Sequence, residues 1–185
     1  ENTESNASYE RGLEVLNSNS KKFINVGRYS VEKGHKRLID AFDTLWKEDN
    51  NIYLVVVGGT GPTYKEEVEY ANMKASANNI LLIKDMSNPF AVVDRCDYFV
   101  FSSFHEGFGL ALIEANIVGK PVISTNIPGP RGFMEKYNGE LVEDSTEGLI
   151  CGMRKLLNEE IPVLDIDYRD YNAEAVKSFE NLFNK

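Results

Sequence analysis

Short continuous apolar runs alternate along the chain with segments whose apolar residues recur at helical spacing. The runs predict strands at KFINVG (22–27), IYLVVVG (52–58), NILLI (79–83), YFVFS (98–102), PVIST (121–125) and GELVE (139–143). Between the first two, KGHKRLIDAFDTLWKED (33–49) sets Leu38, Ala41, Phe42 and Leu45 on one helical face. TYKEEVEYANMKASA (63–77) reads as a helix with a charged face, and PFAVVDRC (89–96) as a short helix opened by Pro89. GLALIEANIVG (109–119) and STEGLICGMRKLLNEE (145–160) are helical, the latter capped by Ser145 or Thr146. A last helix is expected at about 171–183.

Strand and helix thus alternate at the spacing of βαβ units. The strands are apolar throughout rather than alternating, as when both faces of a parallel sheet are covered. The fold class is α/β: a Rossmann-like, doubly wound parallel sheet in a three-layer α/β/α arrangement. The polar start, residues 1–20, reads as a linker or N-terminal extension. Residues 21–160 form the domain, and 161–185 a crossing loop with the terminal helix.

Composition narrows the function classes. A net charge of −9 argues against nucleic acid, whose phosphates need clustered Lys and Arg, but leaves room for a local basic pocket. Cys96 and Cys151 lie in no metal-ligand spacing and read as free thiols. No apolar run is long enough to span a bilayer.

In an open α/β sheet, ligands bind outside the carboxyl ends of the strands. The loop after the first strand, VGRYSVEKG (26–34), offers Gly27, Arg28 and Lys33 at a helix start. Two cations beside free backbone N–H groups suit a phosphate or diphosphate. Taken alone, the plainer reading is solvated loop cations. The loop from Gly58, GGTGP (58–62), is a tight turn or a close backbone approach to a ligand. It fits neither a P-loop nor GxGxxG.

The loop SSFHEGFGL (102–110) places Gly107, Phe108, Gly109 and Leu110 at the next helix start, with Glu106 just outside. Glu106 could cap that helix or accept from ligand hydroxyls. Glu114 stands inside an otherwise apolar helix and is expected to be buried, so it needs donors. A buried cation or a ligand diol would supply them. The order carboxylate, N–H groups, carboxylate suggests hydroxyl, phosphate, hydroxyl, which is the layout of a nucleotide sugar.

Together, NVGRYSVEKGHKRLIDAF, LVVVGGTGP, NPFAVVDRCDYFVFSSFHEGFGLALIEANIVGKPVIST and NGELVED resemble glycosyltransferase family 4, a retaining family with the GT-B fold. The resemblance covers roughly 22–158, and its most specific part is Glu106-x7-Glu114 with Arg28 and Lys33 upstream. It implies that Arg28 and Lys33 hold the donor diphosphate, assisted by N–H groups of Phe108, Gly109 and Leu110. Glu106 would meet the transferred sugar, Glu114 the ribose, and the loop at Asp85 and Met86 the nucleobase. No metal or other cofactor is implied, since Arg28 and Lys33 would neutralise the leaving group.

The resemblance further implies that this is the second, donor-binding half of the enzyme. An N-terminal domain outside the chain would bind a glycan or envelope-polymer acceptor. The expected donor is an NDP-sugar, UDP favoured. The expected setting is the bacterial cytoplasm, with the full-length enzyme peripheral at the inner face of the membrane. NIPGPRGFM (126–134) resembles a variant loop of enzymes building cell-envelope polymers. GGTGP and Asp85 depart from the commoner pattern of relatives, which leaves base preference open. Two alternatives stand beside the transferase: a nucleotide-sugar epimerase on the same scaffold, and a nucleotide-binding module without catalysis.

Overall fold

A computed structural model of the chain describes residues 2–86 and 88–169, with side chains from residue 10 onward. Its strands are β1 (Lys21–Val26), β2 (Ile52–Gly58), β3 (Ile80–Lys84), β4 (Tyr98–Phe101), β5 (Val122–Thr125) and β6 (Glu140–Val142). They form one six-stranded sheet in the order β3-β2-β1-β4-β5-β6, with every neighbouring pair parallel.

The helices are α1 (Asn2–Asn17), α2 (His35–Trp46), α3 (Tyr64–Asn72), α4 (Phe90–Val93), α5 (Leu110–Ile117), α6 (Pro128–Lys136) and α7 (Thr146–Leu157). The pleat sends successive strand residues to opposite faces. Phe23, Leu54, Val56 and Val100 therefore pack with Leu38 and Phe42 of α2 and Leu149 and Leu156 of α7. Ile24, Val55, Val57 and Phe99 pack with Val93 of α4, Leu112 and Ala115 of α5 and Met134 of α6. Each fully buried aliphatic or aromatic side chain contributes about 1.5–3 kcal/mol. That double burial is why the strands read as unbroken apolar runs.

Several expectations need correction. NIPGPRGFM is not a loop: α6 begins at Pro128, and Pro130 also lies in its first turn. Proline is tolerated there because the first N–H groups have no partner in the helix. Within the N-terminal extension, α1 runs from Asn2 to Asn17. Val15 is buried, and Arg11 donates to the Asn78 carbonyl at 2.9 Å. α2 starts two residues later than the hydrophobic pattern suggests, behind a separate 3-10 turn at Val31–Lys33. The terminal helix expected at 171–183 lies outside the described residues.

The strand order reverses between β1 and β4. Chain leaving β1 and chain leaving β4 turn opposite ways, so a crevice opens between their carboxyl ends. The loops carrying Arg28, Lys33 and Glu106 all begin there.

Candidate functional site

The crevice is assembled from turns that interlock. At the end of β1 the Gly27 N–H donates to the Val57 carbonyl, which keeps this turn tight against β2. Tyr29 turns inward and is fully buried, its hydroxyl 2.8 Å from the Ile83 carbonyl and 3.0 Å from that of Val56. Burial raises the Tyr29 phenol above its ordinary range. With Tyr29 anchored, Arg28 is left at the surface.

Gly34 closes the turn in the left-handed region, at φ 67°. A Cβ on Gly34 would lie 2.2 Å from the Ser102 carbonyl oxygen, so only glycine lets the start of α2 abut the β4 loop. On the far side, a Cβ on Gly129 would lie 2.1 Å from the Glu106 carbonyl oxygen. The first turn of α6 thus rests against the backbone of Glu106.

These contacts bring the charged side chains together. Lys33 Nζ donates to Glu106 Oε2. Glu106 Oε1 accepts from the Gly107 N–H at 3.2 Å. Arg28 donates to Glu32 at 2.8 Å. Hydrogen bonds from Ser30 and from its own backbone N–H, together with Arg28, hold the Glu32 carboxyl down at about 2.

A cleft of about 610 Å³ is lined by Arg28, Glu32, Lys33, His105, Glu106, Gly107 and Pro128. A smaller one of about 150 Å³ adjoins it at Arg28 and is walled by Gly27, Gly58, Gly59, Met86 and Pro89. Arg28 lines both. The arrangement can hold an anion between Arg28 and Lys33, with a flat group to one side and a hydroxylated group by Glu106.

Other residues singled out from the sequence lie elsewhere. Asp85 has φ 57°, and its carboxylate accepts from the Thr60 hydroxyl at 2.6 Å. It lines a separate cavity with Tyr64, Lys65 and Lys84 rather than the one beside Met86. Phe108 and Leu110 are exposed and line neither cleft. Gly109 is buried and lines neither as well.

Glu114 is the main correction. It is half-buried, not buried, and no hydrogen bond or ion pair reaches its carboxylate among the described residues. α5 buries Leu112, Ile113, Ala115 and Asn116. Its opposite stripe, Leu110, Glu114 and Ile117, faces outward, Leu110 at 63% and Ile117 at 58% exposure. The carboxylate therefore sits on an open face that happens to be apolar around it.

The sequence did not single out Glu32, Arg37 or Gly129. Glu32 and Lys33 sit side by side in one loop, and only the turn shows that Glu32 folds back on Arg28. Arg37 reads as the polar side of an amphipathic helix.

A parallel sheet of this strand order, with charged turns meeting at its switch point, defines a Rossmann-like domain with an anion-suited crevice. The chain belongs to the family Glycosyl transferases group 1, whose model matches residues 10–177. It is 33% identical over 140 residues to the capsular polysaccharide biosynthesis glycosyltransferase CapM of Staphylococcus aureus, covering 73% of this chain and 36% of that protein. It is 28% identical over 176 residues to a Campylobacter jejuni N-acetylgalactosaminyltransferase acting on a diphospho-undecaprenol substrate, covering 94% of this chain and 47% of that protein. Among solved structures it is similar to the C-terminal domain of the group 1 glycosyltransferase LpcC from Francisella tularensis. There the TM-score is 0.64, with 26% identity over 75% of this chain and 76% of that one. The chain spans about a third of the length of the first curated relatives it matches.

Proposed function

We propose that the chain is the donor-binding domain, residues 21–160, of a retaining glycosyltransferase of family 4. It would take a hexose from an NDP-sugar, with UDP the favoured nucleotide. The observation that carries this reading is the meeting of Arg28, Lys33 and Glu106 around one cleft at the sheet's switch point.

Arg28 and Lys33 hold the diphosphate. As the bond from the anomeric carbon to the diphosphate breaks, they stabilise the charge on the leaving nucleoside diphosphate. Glu106 accepts from hydroxyls of the transferred sugar. The N–H groups of Phe108, Gly109 and Leu110, at the entry to α5, would add to the anion site from outside the two clefts. Gly27, Gly58 and Met86 border the small cleft, which would take the base. Asp85 shapes that loop from outside. Glu114, without a hydrogen-bond or ion-pair partner among the described residues, would accept from the ribose diol. Two cations do the work a divalent metal would otherwise do, so donor binding is expected to survive a chelator.

The acceptor, a glycan or envelope polymer, would be bound by a preceding domain beyond this chain. The capsular role in the name of CapM supports that class. The enzyme would act in the cytoplasm, peripherally at the inner face of the membrane. No helix among the described residues is long and apolar enough to cross one.

Calorimetric titration with UDP, GDP, ADP and CDP, then with UDP-sugars, in the presence of chelator, tests this directly. UDP binding that Arg28→Ala or Glu114→Ala removes supports the reading. Absence of binding at millimolar nucleotide, or unchanged binding in both variants, refutes it.

A further inference from the structure

Arg37 lies one turn beyond Lys33 on α2, and its side chain is only 7% exposed. Its Nε and Nη2 donate to the Ser102 carbonyl at 3.0 and 2.7 Å, and Nη2 also donates to the Ser103 carbonyl at 2.8 Å. Nη1 donates to Asp144 at 2.5 Å. The guanidinium lies 3.7 Å from the centre of the Phe104 ring.

All of these contacts except the one to Asp144, which follows β6, hold one loop, the segment leading from β4 to Glu106. The same loop is tied to the neighbourhood of Lys33 by two further bonds. Ser102 Oγ donates to the Lys33 carbonyl at 2.9 Å, and the Phe104 N–H donates to the Glu32 carbonyl at 2.8 Å. Three of the four Arg37 bonds go to main-chain oxygens of the Glu106 loop. A planar fork can do this and a point charge cannot.

We propose that Arg37 is a positioning residue: it fixes residues 102–104 so that Glu106 meets Lys33 and, on the donor-site reading above, the transferred sugar. Arg37 itself lines neither of the two clefts at Arg28.

The test uses the whole 185-residue chain with Arg37→Met and Arg37→Lys. Amide hydrogen exchange is measured at Phe104 and, as a control, at Val55 and Val57 in the sheet. Exchange at Phe104 is expected to rise at least about tenfold in Arg37→Met, with a smaller rise in Arg37→Lys and the sheet amides unchanged. If Arg37→Met does not fold, Arg37→Lys decides on the same amides. Wild-type exchange at Phe104, or an equal rise at Val55 and Val57, overturns the proposal, because Arg37 would then be inert or merely a global stabiliser.

A second arm compares the affinity for a UDP-sugar with that for UDP. Arg37→Met should lower this ratio in the wild-type background and leave it unchanged in a Glu106→Gln background. A further fall in that background shows that Arg37 acts without Glu106 and overturns the proposal. If wild type binds no nucleoside diphosphate, the donor reading fails, and the exchange measurement still decides the role of Arg37.

Discussion

Lys33 and Glu106 lie 73 residues apart in the sequence and form an ion pair across the crevice between β1 and β4. Arg28 is likewise paired, with Glu32. Both cations of the proposed anion site therefore already hold a carboxylate. An incoming diphosphate competes with these partners for the two cations, which lowers its apparent affinity.

Glu32→Gln removes one competitor and should tighten UDP binding by up to about fivefold, the range of an exposed ion pair. Calorimetry on wild type and variant reads this. Equal or weaker binding in the variant would show that Glu32 orients Arg28 instead of competing with the ligand. The pH dependence follows in sign. Glu32 titrates at about 2, so its pairing is lost only as pH falls through that value. UDP affinity should accordingly show no pH dependence arising from Glu32 between pH 5 and 8, where its carboxylate stays ionised.

Gly129→Ala puts a methyl group where the Glu106 carbonyl oxygen stands. Backbone must move at one of the two, at a cost of about 1–3 kcal/mol in stability. Urea denaturation measures the cost, and the Gly107 amide shift reports movement of the loop. A variant with wild-type stability and an unshifted Gly107 amide would contradict the contact.

Phe42→Ala should destabilise the domain by about 3–5 kcal/mol, because Phe42 is wholly buried between the sheet and its α2–α7 layer. The urea midpoint is the readout. A loss below about 1 kcal/mol would mean that this layer is not packed as described.

The two cysteines should react very differently. Burial pushes the Cys96 thiol up to about 12, whereas Cys151 is exposed on α7. At pH 8 only about one Cys96 in ten thousand is thiolate. A thiol reagent should modify one cysteine in the native protein and both in denaturant. Rapid native modification of both would place Cys96 at the surface.

Much of the fold was legible from the pattern of apolar residues. β2 and β5 fall within a residue of their predicted ends. The misses share a cause. α6 opens with Pro128-Gly129-Pro130, residues that signal a turn unless the first helical turn is known to need no N–H. α1 carries few apolar residues, because only Val15 is buried among its described side chains. For Glu114, an apolar neighbourhood in sequence does not amount to burial in space. Leu110 and Ile117 share its outward stripe.

By itself, the sequence determined the alternation of strand and helix, the parallel sheet, and the loops in which Arg28, Lys33 and Glu106 stand. These follow from periodicity and local backbone preference, which act between near neighbours. Only the tertiary structure decided which loops meet. The strand order sets β4 beside β1, and the close approaches at Gly34 and Gly129 bring Glu106 to Lys33. It also decided that Arg37 faces the Glu106 loop and Glu114 faces outward. Such contacts depend on chain crossings and on the space between packed backbones, which no local pattern encodes.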